Sequence, residues 1–476
     1  MKSHKQVAER FVLHIWDGQH LKREMKTTAG ETLKVEYPGI WNFDSGPDFK
    51  DARICIGGKM VTGDVEIHIK APDWIAHGHH NDPRYNRMVL HAVMWQTEGS
   101  FETIKENGQT VPLLILNDFL DESIEKLSRK ISQQQRWRCP RIAEIERINA
   151  EVLLKVIDAA AEQRLEGKIQ GFQERLEQLL GDEESLSPQD AWNQLLYEGV
   201  MEALGYSKNK EPFTELAKRL PLKEIKERVN GQSSSSISLK IQAMLFGVAG
   251  LLPSQSRRPV ELDRSTLQYI EKLEREWQLL EPALAGRKMA AEQWQFFRLR
   301  PANFPTRRIA GVSYLLSGFI HKSPLSYLLQ IARENDRRLF LTKAKAAFIA
   351  ETDDYWSKHY RFGGTARVWG ENNLVIGAQR ADDIVINVVF PFMILHAHNK
   401  QMKALERFLL NSYDCYGKLA SNEITRFLLR EIFGGRRISS SVKSAKRQQG
   451  LIHIYQQFCQ QLNCGQCPLL CSAGAK

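Results

Sequence analysis

Residues Gly63 to Lys70 alternate strictly, with Asp64, Glu66, His68 and Lys70 at even positions and Val65, Ile67 and Ile69 at odd ones. A β-strand sends successive side chains to opposite faces. This run therefore has one apolar face for a core and one face of carboxylates, imidazole and ammonium. About one hairpin's length upstream, Gly46-Pro47-Asp48-Phe49 sets another carboxylate at a strand start. A carboxylate opening one strand, with two more beside a proton-active group on its neighbour, is an arrangement by which a divalent cation activates water against a phosphodiester. The bland alternative for such a face is the solvated side of an antiparallel hairpin.

Pro47-Asp48 and Glu66-Ile67-His68 resemble the signature of the PD-(D/E)xK nuclease superfamily, an Asp at one strand start and a Glu/Asp-x-Lys on the next strand. The resemblance implies Mg²⁺ or Mn²⁺ held by Asp48 and Glu66, water oriented or activated by His68 or Lys70, and Glu9 completing the metal shell. His68 stands where the superfamily has lysine; Lys70 follows on the same face with the positive charge. The element order agrees with that core. An amphipathic helix is expected over Lys5–Gly18, carrying Val7, Phe11, Val12, Ile15 and Trp16 on one side. A strand at Thr32–Tyr37, a hairpin across Asp51–Lys70, a turn or short helix at Asp82–Arg87 and an apolar strand at Met88–Met94 follow.

Just beyond the strand lie Trp74, His77, His79, His80, Asp82, Tyr85 and His91. Imidazoles at this density suit zinc or manganese, so a zinc hydrolase built on His77, His80 and Asp82 is a second chemistry. His77 and His80 also read as donors to a nucleic-acid phosphate, and each histidine singly as a loop cap. More broadly, Trp41-Asn42, the two motifs, Trp74, His77-Gly78-His79, Asp82, Tyr85, Leu90-His91, Arg300-Pro301-Ala302-Asn303-Phe304-Pro305 and the terminal cysteines resemble an uncharacterised bacterial domain-of-unknown-function family over nearly the whole chain. That resemblance implies no activity.

From about Asp121 the apolar period becomes helical, and an α+β class is expected: an N-terminal mixed sheet with flanking helices over 1–120, a helical domain over 121–350, and a helical C-terminal region over 351–476. Trp137–Arg141 and Arg298–Arg308 combine arginines with aromatics and prolines. Arg300, Arg307 and Arg308 would clamp nucleic-acid phosphates bidentately, or else staple helix ends. Gly434–Arg447 is a serine-rich basic stretch suited to the same backbone. Cys459, Cys464, Cys467 and Cys471 read as ligands of zinc or an iron–sulfur cluster, with His453 able to replace Cys471.

A net charge of +10 and a pI near 9.1 fit a polyanionic partner, DNA or RNA. No unbroken apolar run of membrane-spanning length and no signal-peptide core were found, so a soluble cytoplasmic protein with no membrane partner is expected. The function expected is metal-dependent cleavage of nucleic acid. The alternative is a non-catalytic nucleic-acid-binding or scaffold protein that keeps the fold; the oligomeric state is open.

Overall fold

In the computed structural model the chain is described at residues 8–42, 46–97, 99–128, 142–145, 147–181, 186–206, 208–231, 234–255, 262–296, 299–320, 322–365, 373–431, 441–461 and 463–471. It divides into two units, Met1–Trp137 and Arg138–Lys476. The first runs α1 (Glu9–Asp17), β1 (Met25–Lys26), β2 (Thr32–Tyr37), β3 (Ile40–Trp41), β4 (Phe49–Ile56), β5 (Lys59–Lys70), α2 (Asp73–Ala76), β6 (Met88–Trp95), β7 (Thr103–Ile104), β8 (Thr110–Val111) and β9 (Leu113–Ile115). The main sheet is mixed, ordered β1-β2-β4-β5-β6-β9 with β3 on the start of β4. Strands β4 and β5 are an antiparallel hairpin, whereas β5 with β6 and β6 with β9 are parallel.

Each join has a local cause. Gly57 and Gly58, both at positive φ, form the two-residue turn between β4 and β5, the conformation that a tight hairpin turn demands. Gly63 in mid-β5 is needed for a different reason. A Cβ there would lie 2.5 Å from the Arg87 carbonyl oxygen and 2.4 Å from Val89 Cγ1, so only glycine lets the start of β6 approach and Asp64 N–H donate to Arg87 O. Between Phe49 and Ala52 the β4–β5 register shifts by one residue, with Asp51 at φ +57. This bulge sits next to the carboxylates discussed below.

The odd positions of β5 face a core. Val65 and Ile67 pack with Leu33, Phe49, Ile54, Leu90, Ala92 and Met94, under Val12, Ile15 and Trp16 of α1. Each such side chain contributes about 1.5–3 kcal/mol on burial. The even face is buried as well: Asp64, Glu66 and His68 are only 1–3% exposed. It is not the solvated side of a hairpin. A parallel β5–β6 pair requires a long crossover, and here the crossover, carrying α2 and the 3-10 turns His79–Asn81 and Pro83–Tyr85, brings Trp74 and Tyr85 into a second apolar layer with Met88 and Val111.

The second unit is helical. Its long helix Ala150–Gly181 gives Leu153, Ile157 and Ala160 to a core with Leu428, Leu451, Ile454, Leu469 and Leu470, and Leu165, Leu176 and Leu179 to a larger one. Residues on both sides of position 350 share that larger core, among them Leu195, Phe246, Ile309, Val385 and Phe392. One helix expected over Phe213–Val229 is two, Lys210–Arg219 and Leu222–Val229, because Pro221 lacks the N–H that would continue the ladder. Ser236–Gln255 and Ala378–Asn399 are long and apolar enough by composition to cross a bilayer, which no unbroken apolar run had suggested; 67% and 78% of their apolar windows are buried among the other helices.

Gly63→Ala is expected to destabilise the first unit by about 2–3 kcal/mol through overpacking. Hydrogen exchange of β5 and β6 amides checks this, since both strands should lose protection together.

Candidate functional site

The site begins with two carboxylates held by each other's strands. Asp48 N–H donates to Glu66 Oε2 at 2.9 Å, and Ile67 N–H donates to Asp48 Oδ2 at 3.0 Å. Both side chains are buried. Asp64, on the same face, accepts from Asp51 N–H at 3.1 Å and so secures the bulge rather than joining the centre.

Beyond Glu66 the crossover supplies imidazoles. Gly78 adopts φ +77, a left-handed conformation in which the chain reverses between His77 and His79. His77 Nδ1 lies 3.1 Å from His68 Nε2, and His79 Nε2 lies 3.2 Å from Glu66 Oε1. Glu66 Oε1 is also 3.6 Å from His68 Nε2. Among the described residues, the donor atoms of His68, His77 and His79 fall within 4.8 Å of one another, a group able to hold a metal. His79 lies against Tyr85, ring centroids 4.2 Å apart, with Trp74 at 5.5 Å. Burial, then the charges of Glu66 and Asp48, push the Tyr85 hydroxyl well above its ordinary pKa and keep it protonated. Behind His68, its Nδ1 meets His91 Nε2 at 2.9 Å and His91 Nδ1 meets Thr103 Oγ1 at 2.7 Å. Burial, with the positive charge of His79 second, pushes His91 down to about 3.

Asp48, Glu66, His68 and His77 are therefore brought together. His79 and His91, seen in the sequence as members of a histidine-rich stretch without assigned roles, complete the centre, and Thr103 carried no signal in the sequence. Lys70 ends β5 exposed, with its N–H on Asp73, and is not part of the group. Glu9 sits half-buried in the first turn of α1, the helix that covers the opposite, Val65/Ile67 face of β5. His80 turns away, its Nε2 2.9 Å from Asn81 Nδ2. Asp82 caps the turn at Pro83 through Arg84 N–H and pairs with the Arg84 guanidinium. The His77/His80/Asp82 set is thus dispersed.

In the helical unit the arginines have structural partners. Arg307 donates to the carbonyls of Trp356, His359 and Leu374 at 2.6, 2.7 and 3.1 Å. Arg308 donates to Val375 O, the Tyr206 hydroxyl and Asn303 Oδ1. Both are 6% exposed. They staple a short helix and short strands, and with their guanidinium nitrogens taken up by these internal acceptors they are not held out as the phosphate clamp expected of them; Arg300 alone of the three is exposed. Lys446 pairs with Glu162 and Asp414, and Arg447 with Asp158, while Trp137–Arg141, Arg298, Arg436 and Arg437 lie outside the described residues. Cys459 closes a π-helical turn, Cys464 opens a 3-10 turn, Cys467 is buried with Leu469 and Leu470, and Cys471 is exposed.

A family model, described as a protein of unknown function, DUF2851, matches residues 9–417. The chain belongs to the DUF2851 family. The DUF2851 match covers the whole histidine–carboxylate centre and the Arg300–Pro305 stretch, and it stops short of the four tail cysteines. No curated protein and no solved structure matches the chain.

Two outcomes follow from these contacts. Replacing Arg307 with Lys, which cannot reproduce a guanidinium fork across three carbonyls, is expected to cost about 2–3 kcal/mol and to leave nucleic-acid affinity unchanged; chemical denaturation and a binding titration read the two. His91, neutral when folded and near 6.5 when unfolded, takes up its proton in the unfolded chain first. Stability of the N-terminal unit should therefore be complete above pH 6.5 and fall as pH drops toward 3, by up to about 1.4 kcal/mol per pH unit. The loss should be smaller in His91→Asn, followed by hydrogen exchange in β6.

Proposed function

We propose that the N-terminal unit hydrolyses phosphodiester bonds in nucleic acid with a divalent cation, as a PD-(D/E)xK-like enzyme. One observation carries the reading: Asp48, at the mouth of β4, is locked by two main-chain hydrogen bonds to Glu66 and Ile67 of β5, beside His68 in the third position of the signature. The antiparallel β4–β5 hairpin followed by a parallel β6 supports it in order and direction.

A bound cation would polarise a phosphoryl oxygen and lower the pKa of water. The oxygen of that water bonds to phosphorus as the P–O ester bond breaks. In a departure from the signature, in which Asp48 holds the metal and His68 or Lys70 activates water, Asp48 takes the water's proton, and the departing alkoxide takes one from solvent. Charge supports a polyanionic substrate: residues 1–137 hold 18 Lys and Arg against 19 Asp and Glu, and residues 138–476 hold 48 against 37. The chain's entire basic excess, and with it the salt-dependent attraction to phosphates, belongs to the helical unit.

The test is incubation of the full chain with single-stranded DNA, double-stranded DNA and RNA in Mn²⁺, Mg²⁺ or Zn²⁺. Cleavage is expected for the wild type, with a rate lower by roughly a thousandfold in Asp48→Asn and in Glu66→Gln. Binding of any of these without cleavage would instead identify a non-catalytic nucleic-acid-binding protein.

A further inference from the structure

The centre also indicates which cation it takes. We propose that Glu66, His68, His77 and His79 bind a transition metal of the zinc, manganese(II) or iron(II) class, through Glu66 Oε1, His68 Nε2, His77 Nδ1 and His79 Nε2. The proposal rests on the hydrolase reading only for the chemistry the metal serves; the site itself stands on geometry.

Spacing is the first argument. Metal–nitrogen and metal–oxygen bonds of about 2.0–2.2 Å put neighbouring donor atoms about 3.0–3.5 Å apart and opposite ones a little over 4 Å apart. Here the separations are 3.1 Å for His68–His77, 3.2 Å for His79–Glu66 and 3.6 Å for His68–Glu66, with the three imidazole donors inside 4.8 Å. Donor type is the second. Three nitrogens with one carboxylate suit borderline metals, whereas Mg²⁺ favours oxygen and keeps its waters.

The outer contacts aim the donors. Asp48 N–H occupies Glu66 Oε2 and leaves Oε1 turned to His68 and His79. If His91 Nδ1–H donates to the Thr103 hydroxyl, His91 Nε2 accepts from His68 Nδ1–H, and the lone pair of His68 Nε2 then faces His77 and Glu66. Such relays fix the tautomer of a ligating histidine. Trp74 and Tyr85 wall the ring of His79. His77 is exposed and forms the solvent side, through which a metal enters. On this assignment His68 is a ligand rather than a substitute for the signature lysine, and the Asp48 carboxylate remains to take a proton.

The full chain, stripped by a chelator, is titrated with Zn²⁺ against a chromophoric competitor and with Co²⁺ by visible absorption. His77→Ala removes an exposed side chain and is expected to weaken the site at least about tenfold, while His80→Ala, on the neighbouring residue that turns away, binds as the wild type does. The difference between wild type and His77→Ala is the readout, so metal held by the tail cysteines cancels. Equal affinity in wild type, His77→Ala and His79→Ala, or displacement of Zn²⁺ by an equal concentration of Mg²⁺, would overturn the proposal. Tight cluster-dependent Zn²⁺ binding with no phosphodiester cleaved sinks the hydrolase reading and leaves this site standing; cleavage with Mg²⁺ and no such binding does the reverse.

Discussion

The exchange of hydrogen bonds between Asp48 and β5 is the contact on which the rest of the N-terminal unit depends. Burying a carboxylate costs several kcal/mol unless donors replace its water. Here the amide of Asp48, just before β4, serves Glu66 and an amide on β5 serves Asp48. Such charge-assisted bonds are stronger than neutral ones, and they are made at the point where β4 enters the sheet. The bulge that follows gives Asp64 the N–H of Asp51. Three acids on one buried face thus each find a main-chain donor, which lets the crossover close over them.

That closure explains what was and was not legible in the sequence. Period-two alternation named the faces of β5, and the strands at Thr32–Tyr37 and from Met88 appeared where turn residues bounded apolar runs. Alternation cannot say whether a polar face meets water, because that depends on what packs above it. Nor does any period govern His77 to Asp82. There a left-handed glycine and a 3-10 turn decide which rings point inward, so His79 joined the centre and His80 did not. Thr103 arrives from a separate small hairpin, and only the tertiary fold brings its hydroxyl to His91.

In the helical unit the same kind of ambiguity attached to arginine. Arg307 and Arg308 lie in the first turn of the helix Pro305–Phe319, where a stretch rich in proline and arginine reads first as a phosphate clamp and second as a staple. The carbonyls of Trp356 in the short helix Tyr355–Lys358, of His359 at the start of the strand His359–Arg361, and of Leu374 and Val375 in the strand Leu374–Ile376 accept from the guanidinium forks. Arg380 stacks on Tyr206 at 3.2 Å and Arg308 reaches the same ring, so this region spends its basic residues on internal order. The apolar helix Ala378–Asn399 is of membrane-spanning length, but a π-helical turn at Val385–Val389 brings Asn387 to Lys168. A polar contact in mid-helix fits a span enclosed by other helices rather than by lipid.

Topology links these points to the centre. Parallel pairing of β5 with β6 forbids a tight turn, and a right-handed connection must pass over one face of the sheet. One face was already taken by α1 with Val12, Ile15 and Trp16. The crossover was therefore obliged to cover the carboxylate face, and any residue it laid there had to answer buried negative charge with donors. Histidines do so, and once deprotonated they offer lone pairs to a cation. A chain that had used lysines would have neutralised Glu66 with fixed charge and left no lone pairs turned inward. The choice of imidazole at 68, 77 and 79, under an aromatic wall of Trp74 and Tyr85, is what separates a merely compensated acid from a centre that can accept a cation.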